Sequence, residues 1–473
     1  MKVGVIGAGP AGITAAYQLA KSGVDVEVFE ASPHVGGMSR TIELWGQRVD
    51  LGPHRFFSSD RRVNELWLEV VGRDYAMVDR LTRVYYNNRF FQYPLQPLNA
   101  FANLGPAETA RCLTSYFTAH RNGRVDTGAS FEDWVVDRFG RRLFEIFFKT
   151  YSEKLWGIPC DELDADFAAQ RIKKLSLTEA VKAAFGVGGR HKHKTLVDKF
   201  AYPLGGTGMV YQRMAAAVER LGGAVHLRTP VQRVVNDGFR ITGLELPNGD
   251  RRSFDYVVST MPLTLMLRSL AGVPQPVLDA AASLRFRNTT LVYLRVPGTD
   301  LFPDQWLYVH SPTLRMGRIT NFRNWVPELY GDTTDSILAL EYWSYDGDSF
   351  WAANDDDLVA TATEELRSTE LIGDREVASG AVVRIPRCYP VYARGYRAPL
   401  AAVTDYLRGF ENLLPVGRYG AFKYNNQDHS ILMGLLAAEK IQSGAGHDLW
   451  AVNTDYDSYQ EAAIITETGL QAA

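Results

Sequence analysis

The sequence predicts an α/β fold: a discontinuous dinucleotide-binding Rossmann domain, an antiparallel-sheet domain and a helical insert. Three observations carry this. A Gly7-x-Gly9-x-x-Gly12 run follows a short apolar strand and opens an apolar helix. The same alternation of glycine turn, helix and buried strand returns over residues 202–262, and a further strand and helix follow over 412–442. The chain between these pieces shows first a helical period and then several period-2 runs.

Taken in order, Val3, Val5 and Ile6 form the first strand. Gly7 allows a tight turn, and Gly9 lets backbone N–H groups approach a pyrophosphate at the positive end of the helix. Pro10 and Ala11 lie in the same turn, and Gly12 lets the helix rest close on the strand. Residues 11–22 read as that helix, with Ile13, Ala16, Tyr17, Leu19 and Ala20 on its packed side. A second strand over 24–29 ends at Glu30, eighteen residues past Gly12, where a carboxylate can accept from a ribose 2′-OH. Residues 41–57 alternate as a hairpin, 61–71 read as a helix, and 83–93 read as a second hairpin turning at Asn87-Asn88.

From about residue 99 to 200 the pattern is mostly helical, with helices over 107–120, 131–139, 143–151, 166–172 and 177–185. Residues 186–194 form a basic glycine-rich loop whose His191 and His193 have no carboxylate or third ligand nearby, so no metal site is expected. Strands follow over 289–296, 306–310, 317–321, 337–343 and 381–389, with an amphipathic helix over 356–371 and a closing helix over 430–442. The dinucleotide domain is therefore expected over 1–80, 200–265 and 408–445. The sheet domain is expected over 81–98 and 266–407, the helical insert over 99–199, and a peripheral tail over 446–473.

Composition narrows the class. The 473 residues suffice for two or three domains, and a net charge of −3 argues against a nucleic-acid surface. The three cysteines lie far apart and form no CxxC pair, which fits a reducing cytoplasm. With a strand at the N-terminus, no signal peptide is expected, and no apolar run approaches the ~20 residues of a membrane span. The oligomeric state is left open, a homo-oligomer included.

The stretch from Glu30 to Arg40 resembles the extension that follows the acid in FAD proteins of the glutathione-reductase-like superfamily. The resemblance implies that FAD is the cofactor and that Gly37, Met38, Ser39 and Arg40 run beside its pyrophosphate and flavin. Arg40 would make a charge-assisted contact to phosphate. Four further stretches sharpen the reading. These are Gly52-Pro-His54 with Phe57-Ser58, Tyr151–Pro159 leading to Ala169–Ile172, Arg318–Pro327, and Gly417–Ser430 with its Asn-Gln-Asp-His-Ser run. Together they resemble UDP-galactopyranose mutases, more the eukaryotic-type sequences than the bacterial ones.

In that family reduced flavin N5 serves as the nucleophile at the anomeric carbon of a nucleotide sugar, and the sugar recloses in the other ring form. The resemblance implies NADPH or NADH as reductant. It puts the departing diphosphate on Arg171 and Arg318, and sugar and phosphate contacts on Tyr389, Tyr424 and Asn426, with Asn324 a weaker carry-over. His54 would sit against the flavin, and Gly417 and Arg418 beside its ring. Two departures stand out: Tyr424-Asn-Asn426 is two residues shorter than the eukaryotic run, and Arg55-Phe-Phe differs from the usual residues. They leave the nucleotide open among UDP, TDP and GDP, and the sugar open as well. The alternative is an FAD oxidoreductase resembling amine and protoporphyrinogen oxidases. Those commonly carry Gly-Asp or Gly-Glu in place of Gly417-Arg418 and line their substrate cavities with apolar groups.

Overall fold

A computed structural model of the chain describes residues 1–119, 130–165, 199–452 and 463–472. Its first layer is a five-stranded sheet in the order Leu413–Pro415, Tyr256–Ser259, Lys2–Ile6, Asp25–Phe29, Ala224–His226. Every pairing in it is parallel. The strands come from distant parts of the chain, yet each is a short apolar run with few exposed positions, as a sheet covered on both faces requires. The helix Pro10–Lys21 packs against Gly208–Arg220 and the closing helix Gln427–Ser443. The approach to the closing helix is close enough that a Cβ at Gly434 would lie 2.4 Å from the Ala11 carbonyl oxygen.

A second sheet has seven strands in the order Ser379–Pro390, Phe286–Pro297, Asp335–Ser344, Arg318–Asn321, Trp306–Val309, Thr82–Tyr86, Arg89–Gln92. Five of its six pairings are antiparallel, as expected. The sixth, between Trp306–Val309 and Thr82–Tyr86, is parallel and makes the sheet mixed. The hairpin 82–92 enters from a different part of the chain, so no tight turn sets its direction against this neighbour. Alternation divides the residues cleanly. Val292, Leu294, Leu338, Leu340 and Tyr342 pack under the helix Asp355–Ser368. Leu291, Tyr293, Ala339, Trp343 and Tyr389 face the other way, into the large core that also takes in Met38.

A two-stranded ladder joins Tyr75–Asp79 to Lys199–Pro203, which the sequence reading did not anticipate. The insert contains Pro97–Leu104, Pro106–Ala119 and Phe131–Phe139, then a continuous helical run from Arg141 to Trp156. The helices expected over 166–172 and 177–185 and the basic loop 186–194 lie outside the described residues. The tail is less peripheral than expected. Its hairpin Ala463–Thr466 with Gly469–Ala472 returns to the helix Arg61–Val71, and Tyr75 Oη donates to the Thr466 carbonyl at 2.7 Å. Among the described residues, no helix is long and apolar enough to cross a membrane, and no group of His, Cys, Asp and Glu could hold a metal ion.

Candidate active site

The glycine turn builds a cradle from backbone alone. Gly9 caps the helix Pro10–Lys21 without a side chain. Gly37 crosses it so closely that a Cβ there would lie 3.1 Å from Gly9 Cα. Gly12 touches Gly7 through its own backbone, since a Cβ at Gly12 would stand 2.0 Å from the Gly7 carbonyl oxygen. Gly7 itself is at φ +91°. Glu30, at the end of the second strand, is held by the backbone N–H groups of Ala8 and Ser32, each at 2.8 Å. Arg40 Nε is buried with no hydrogen-bond partner among the described residues. Gly417, at φ +80°, closes the cradle, where a Cβ would lie 3.0 Å from Ala11 Cβ. Ser39 is buried beside it, and Met38 Sδ lies 3.3 Å from Cys388 Sγ. A side-chain-free helix N-terminus with an unpartnered guanidinium nitrogen nearby fits a dinucleotide pyrophosphate, and so fits FAD.

The sheet supplies the other wall. Arg318 and Glu341 stand opposite each other on neighbouring strands, with Arg318 Nη2 donating to Glu341 Oε2 at 2.6 Å. The same nitrogen lies 3.4 Å from Tyr389 Oη. Burial works against the Arg318 charge, but Glu341 and the surrounding phenols outweigh it and push the guanidinium well above its ordinary value. Burial likewise raises the Glu341 carboxyl, with Arg318 opposing.

Arg418 packs over the rings of Tyr389 and Tyr424, 4.5 and 4.4 Å from their centroids. Its Nε donates to the Cys388 carbonyl at 2.8 Å and Nη1 to the Asn425 carbonyl at 2.9 Å. The two tyrosine rings stack 5.4 Å apart, flanked by Trp156. His54 lies among these cations. Burial, then Arg318, then Arg418 push its imidazole down to about 3, so it is neutral at physiological pH. Thus His54, Arg318, Tyr389, and the pair Arg418 and Tyr424, from four separate stretches of chain, meet at one place.

Other expected residues are placed differently. Asn426 is the N-cap of the closing helix, its N–H 3.3 Å from His429 Nδ1. Asn324 spends its amide on the carbonyls of Phe302 and Asp304 at 2.7 and 2.8 Å. Arg171 lies outside the described residues.

Sequence reasoning missed Glu341, although a lone carboxylate inside the otherwise apolar run Ile337–Trp343 was a signal. It also missed Gln427. Its Nε2 donates to the carbonyls of His54 and Arg55 at 3.3 and 3.2 Å, and its Oε1 accepts from Tyr211 Oη at 2.7 Å. Gln427 therefore ties the His54 loop to the closing helix and to the helix Gly208–Arg220.

Known proteins agree with this architecture. A zeta-carotene-forming phytoene desaturase of Myxococcus xanthus is 26% identical over 309 residues, 61% of this chain and 58% of that protein. A probable UDP-galactopyranose mutase of Klebsiella pneumoniae is 30% identical over 171 residues, 34% of this chain and 42% of that one. The matches thus span about half the length of these curated relatives. Among solved structures, a reduced UDP-galactopyranose mutase superposes with a TM-score of 0.83 at 24% identity, covering 96% of each chain. A putative protoporphyrinogen oxidase from Exiguobacterium sp. 255-15 gives 0.72 at 16% identity, covering 94% of this chain and 99% of that one. These likenesses show the fold. The family profile of flavin containing amine oxidoreductases matches residues 10–419, most of the chain. The cofactor is accordingly FAD, and the chain belongs to the flavin containing amine oxidoreductase family.

Proposed function

We propose that the protein is a flavin-dependent nucleotide-sugar mutase interconverting pyranose and furanose forms. The observation that carries this reading is the polar, cationic character of the sheet-side wall, where Arg318, its side chain 15% exposed, sits against buried Glu341 and Tyr389. A polyene or alkyl substrate has no use for a buried guanidinium, whereas a diphosphate does. The mutase motifs and the likeness to a mutase fold support the same reading.

Bound FAD, when reduced, supplies a nucleophilic ring nitrogen for the anomeric carbon. The chain's part is to hold and orient. Arg318, and on sequence grounds Arg171, hold the diphosphate while its bond to the sugar is broken and remade. Tyr389 Oη, beside Arg318, adds a neutral donor, and Tyr424 bounds the sugar side. His54 presents an uncharged ring toward the cofactor. Arg418 keeps a positive charge in the site, which favours the electron-rich reduced form of the cofactor over the oxidised one.

The second reading is an FAD oxidoreductase, favoured by the desaturases among the relatives. One experiment separates the two. Protein reduced once under anaerobic conditions is given UDP-, TDP- and GDP-hexoses, and products are resolved by chromatography. A mutase conserves mass and redox level, so many product molecules form per flavin with no further reductant or oxygen. If only the oxidised protein acts, with one reduced flavin per product, the mutase reading is overturned.

A further inference from the structure

Besides Arg318 Nε and Arg418 Nη2, the sheet-side wall carries two further buried polar atoms with no hydrogen-bond partner among the described residues. Glu341 gives Oε2 to Arg318, but its Oε1 accepts no hydrogen bond. Two residues along the same strand, Trp343 Nε1 donates none. Both side chains are almost fully buried, with exposures of 2% and 5%. Residues two apart on a strand share a face, about 6–7 Å apart. Trp343 faces the core that also contains Met38 and Tyr389.

Neither side chain can swing away to find a partner. A Cβ at Gly52 would lie 3.3 Å from Glu341 Oε1 and 3.8 Å from His54 Cε1, so the carboxylate fills the space this glycine leaves beside His54. Trp343 lies over Gly317, where a Cβ would overlap its ring at 1.9 Å. Leaving a buried carboxylate oxygen and an indole N–H unpaired is costly, so both call for a partner beyond the described residues.

An acceptor and a donor side by side match hydroxyl groups, each of which can both donate and accept. A polyene offers neither. An alkylammonium would complement the carboxylate, but it would meet the Arg318 charge and leave the indole N–H unpaired. We propose that Glu341 and Trp343 are specificity-determining residues that read two different hydroxyl groups of the sugar. The inference rests on the mutase reading and adds the groups that recognise the sugar itself.

The test is titration calorimetry on FAD-loaded, oxidised protein. UDP-galactose is compared with analogues in which one ring hydroxyl is replaced by hydrogen or fluorine, and TDP- and GDP-hexoses serve as alternative carriers. The wild-type protein should lose about ten- to hundred-fold in affinity for the analogue lacking the hydroxyl that meets Glu341. In Glu341→Gln that penalty should shrink by about five- to tenfold, because a neutral amide replaces a carboxylate. UDP alone should bind no more weakly, since Arg318 then faces the diphosphate uncompensated. Trp343→Phe should erase the penalty at a different hydroxyl, and it carries the test should Glu341→Gln fail to load FAD. Unchanged penalties in both variants overturn the inference alone. So does an altered flavin spectrum in Glu341→Gln with its penalties intact, because the carboxylate would then serve the cofactor. Absence of any nucleotide-sugar binding by the wild-type protein overturns the mutase reading, and this inference with it.

Discussion

Arg318 meets two demands that pull against each other. A buried guanidinium needs a counter-charge, and Glu341 supplies it at 2.6 Å. A diphosphate site needs net positive charge, and the same carboxylate reduces it. Replacing Arg318 with Ala should therefore show two separable losses. Nucleoside-diphosphate affinity should fall by ~2–5 kcal/mol, the range for losing one partner of a buried charge pair. Folding stability should fall by ~3–5 kcal/mol, because Glu341 is left buried and unpaired. The double variant Arg318→Ala, Glu341→Gln should recover much of the stability and none of the affinity. Chemical denaturation and calorimetry with UDP, TDP and GDP read the two quantities independently. Unaltered nucleotide affinity in Arg318→Ala would mean that the diphosphate binds elsewhere.

At the scale of elements, the glycine turn makes the sharpest statement. Its function depends on two backbones touching, and a single methyl group is enough to part them. In Gly12→Ala the new Cβ would stand 2.0 Å from the Gly7 carbonyl oxygen, so the helix Pro10–Lys21 must lift from the strand Lys2–Ile6. In Gly9→Val the new side chain would start 3.8 Å from Gly37 Cα and crowd the helix N-terminus that a pyrophosphate needs free. Both variants should purify colourless while keeping their far-ultraviolet dichroism; normal flavin absorbance in either would undo the cradle argument. This element was legible in the sequence because its chemistry is local: glycine spacing, an apolar strand before it, an acid after it. The long strands were legible for a similar reason, each being a continuous apolar or alternating run. The ladder between Tyr75–Asp79 and Lys199–Pro203 was not, because its partners are far apart in sequence and neither run alternates strictly. The helix Arg397–Arg408 was hidden by Pro399, which its first turn tolerates. The site shows the same division. His54, Arg318, Tyr389, Tyr424 and Arg418 could be named from motifs, but the register that sets Glu341 opposite Arg318 is a property of the assembled sheet.

For the molecule as a whole, His54, His310 and Asp50 are among the groups that shape stability against pH, and their signs differ. His54 and His310 are both pushed down to about 3 from an ordinary 6.5. Burial is the main cause in each, reinforced by Arg318 and Arg418 at the first and by Lys154 at the second. The unfolded chain binds a proton at each below about pH 6.5 while the native state refuses it. Their contribution is therefore complete above pH 6.5 and is lost as pH falls toward 3. Asp50 runs the other way. Burial raises it to about 7 from 3.8, against hydrogen bonds from Thr41, Tyr202 and Thr207. Its contribution is complete below pH 3.8 and is lost as pH rises through 7. Between about pH 4 and 6.5 each histidine raises stability with pH by up to about 1.4 kcal/mol per unit, and the raised carboxyls of Asp50, Glu341 and Asp304 oppose them. Above 6.5 the histidines add nothing more and Asp50 still opposes, so the climb should stop or reverse until Lys154 and Lys423, both pushed down to about 8 by burial, begin to lose their protons. Denaturant titrations from pH 4.5 to 8 should thus place the maximum near neutrality. In His310→Asn one histidine slope is removed, and the acid limb should lose about 1.4 kcal/mol per pH unit over the same interval. An acid limb as steep in that variant as in the wild-type protein would mean that His310 is protonated in the native state, and that its stacking on Tyr151, ring centroids 5.0 Å apart, does not keep it neutral.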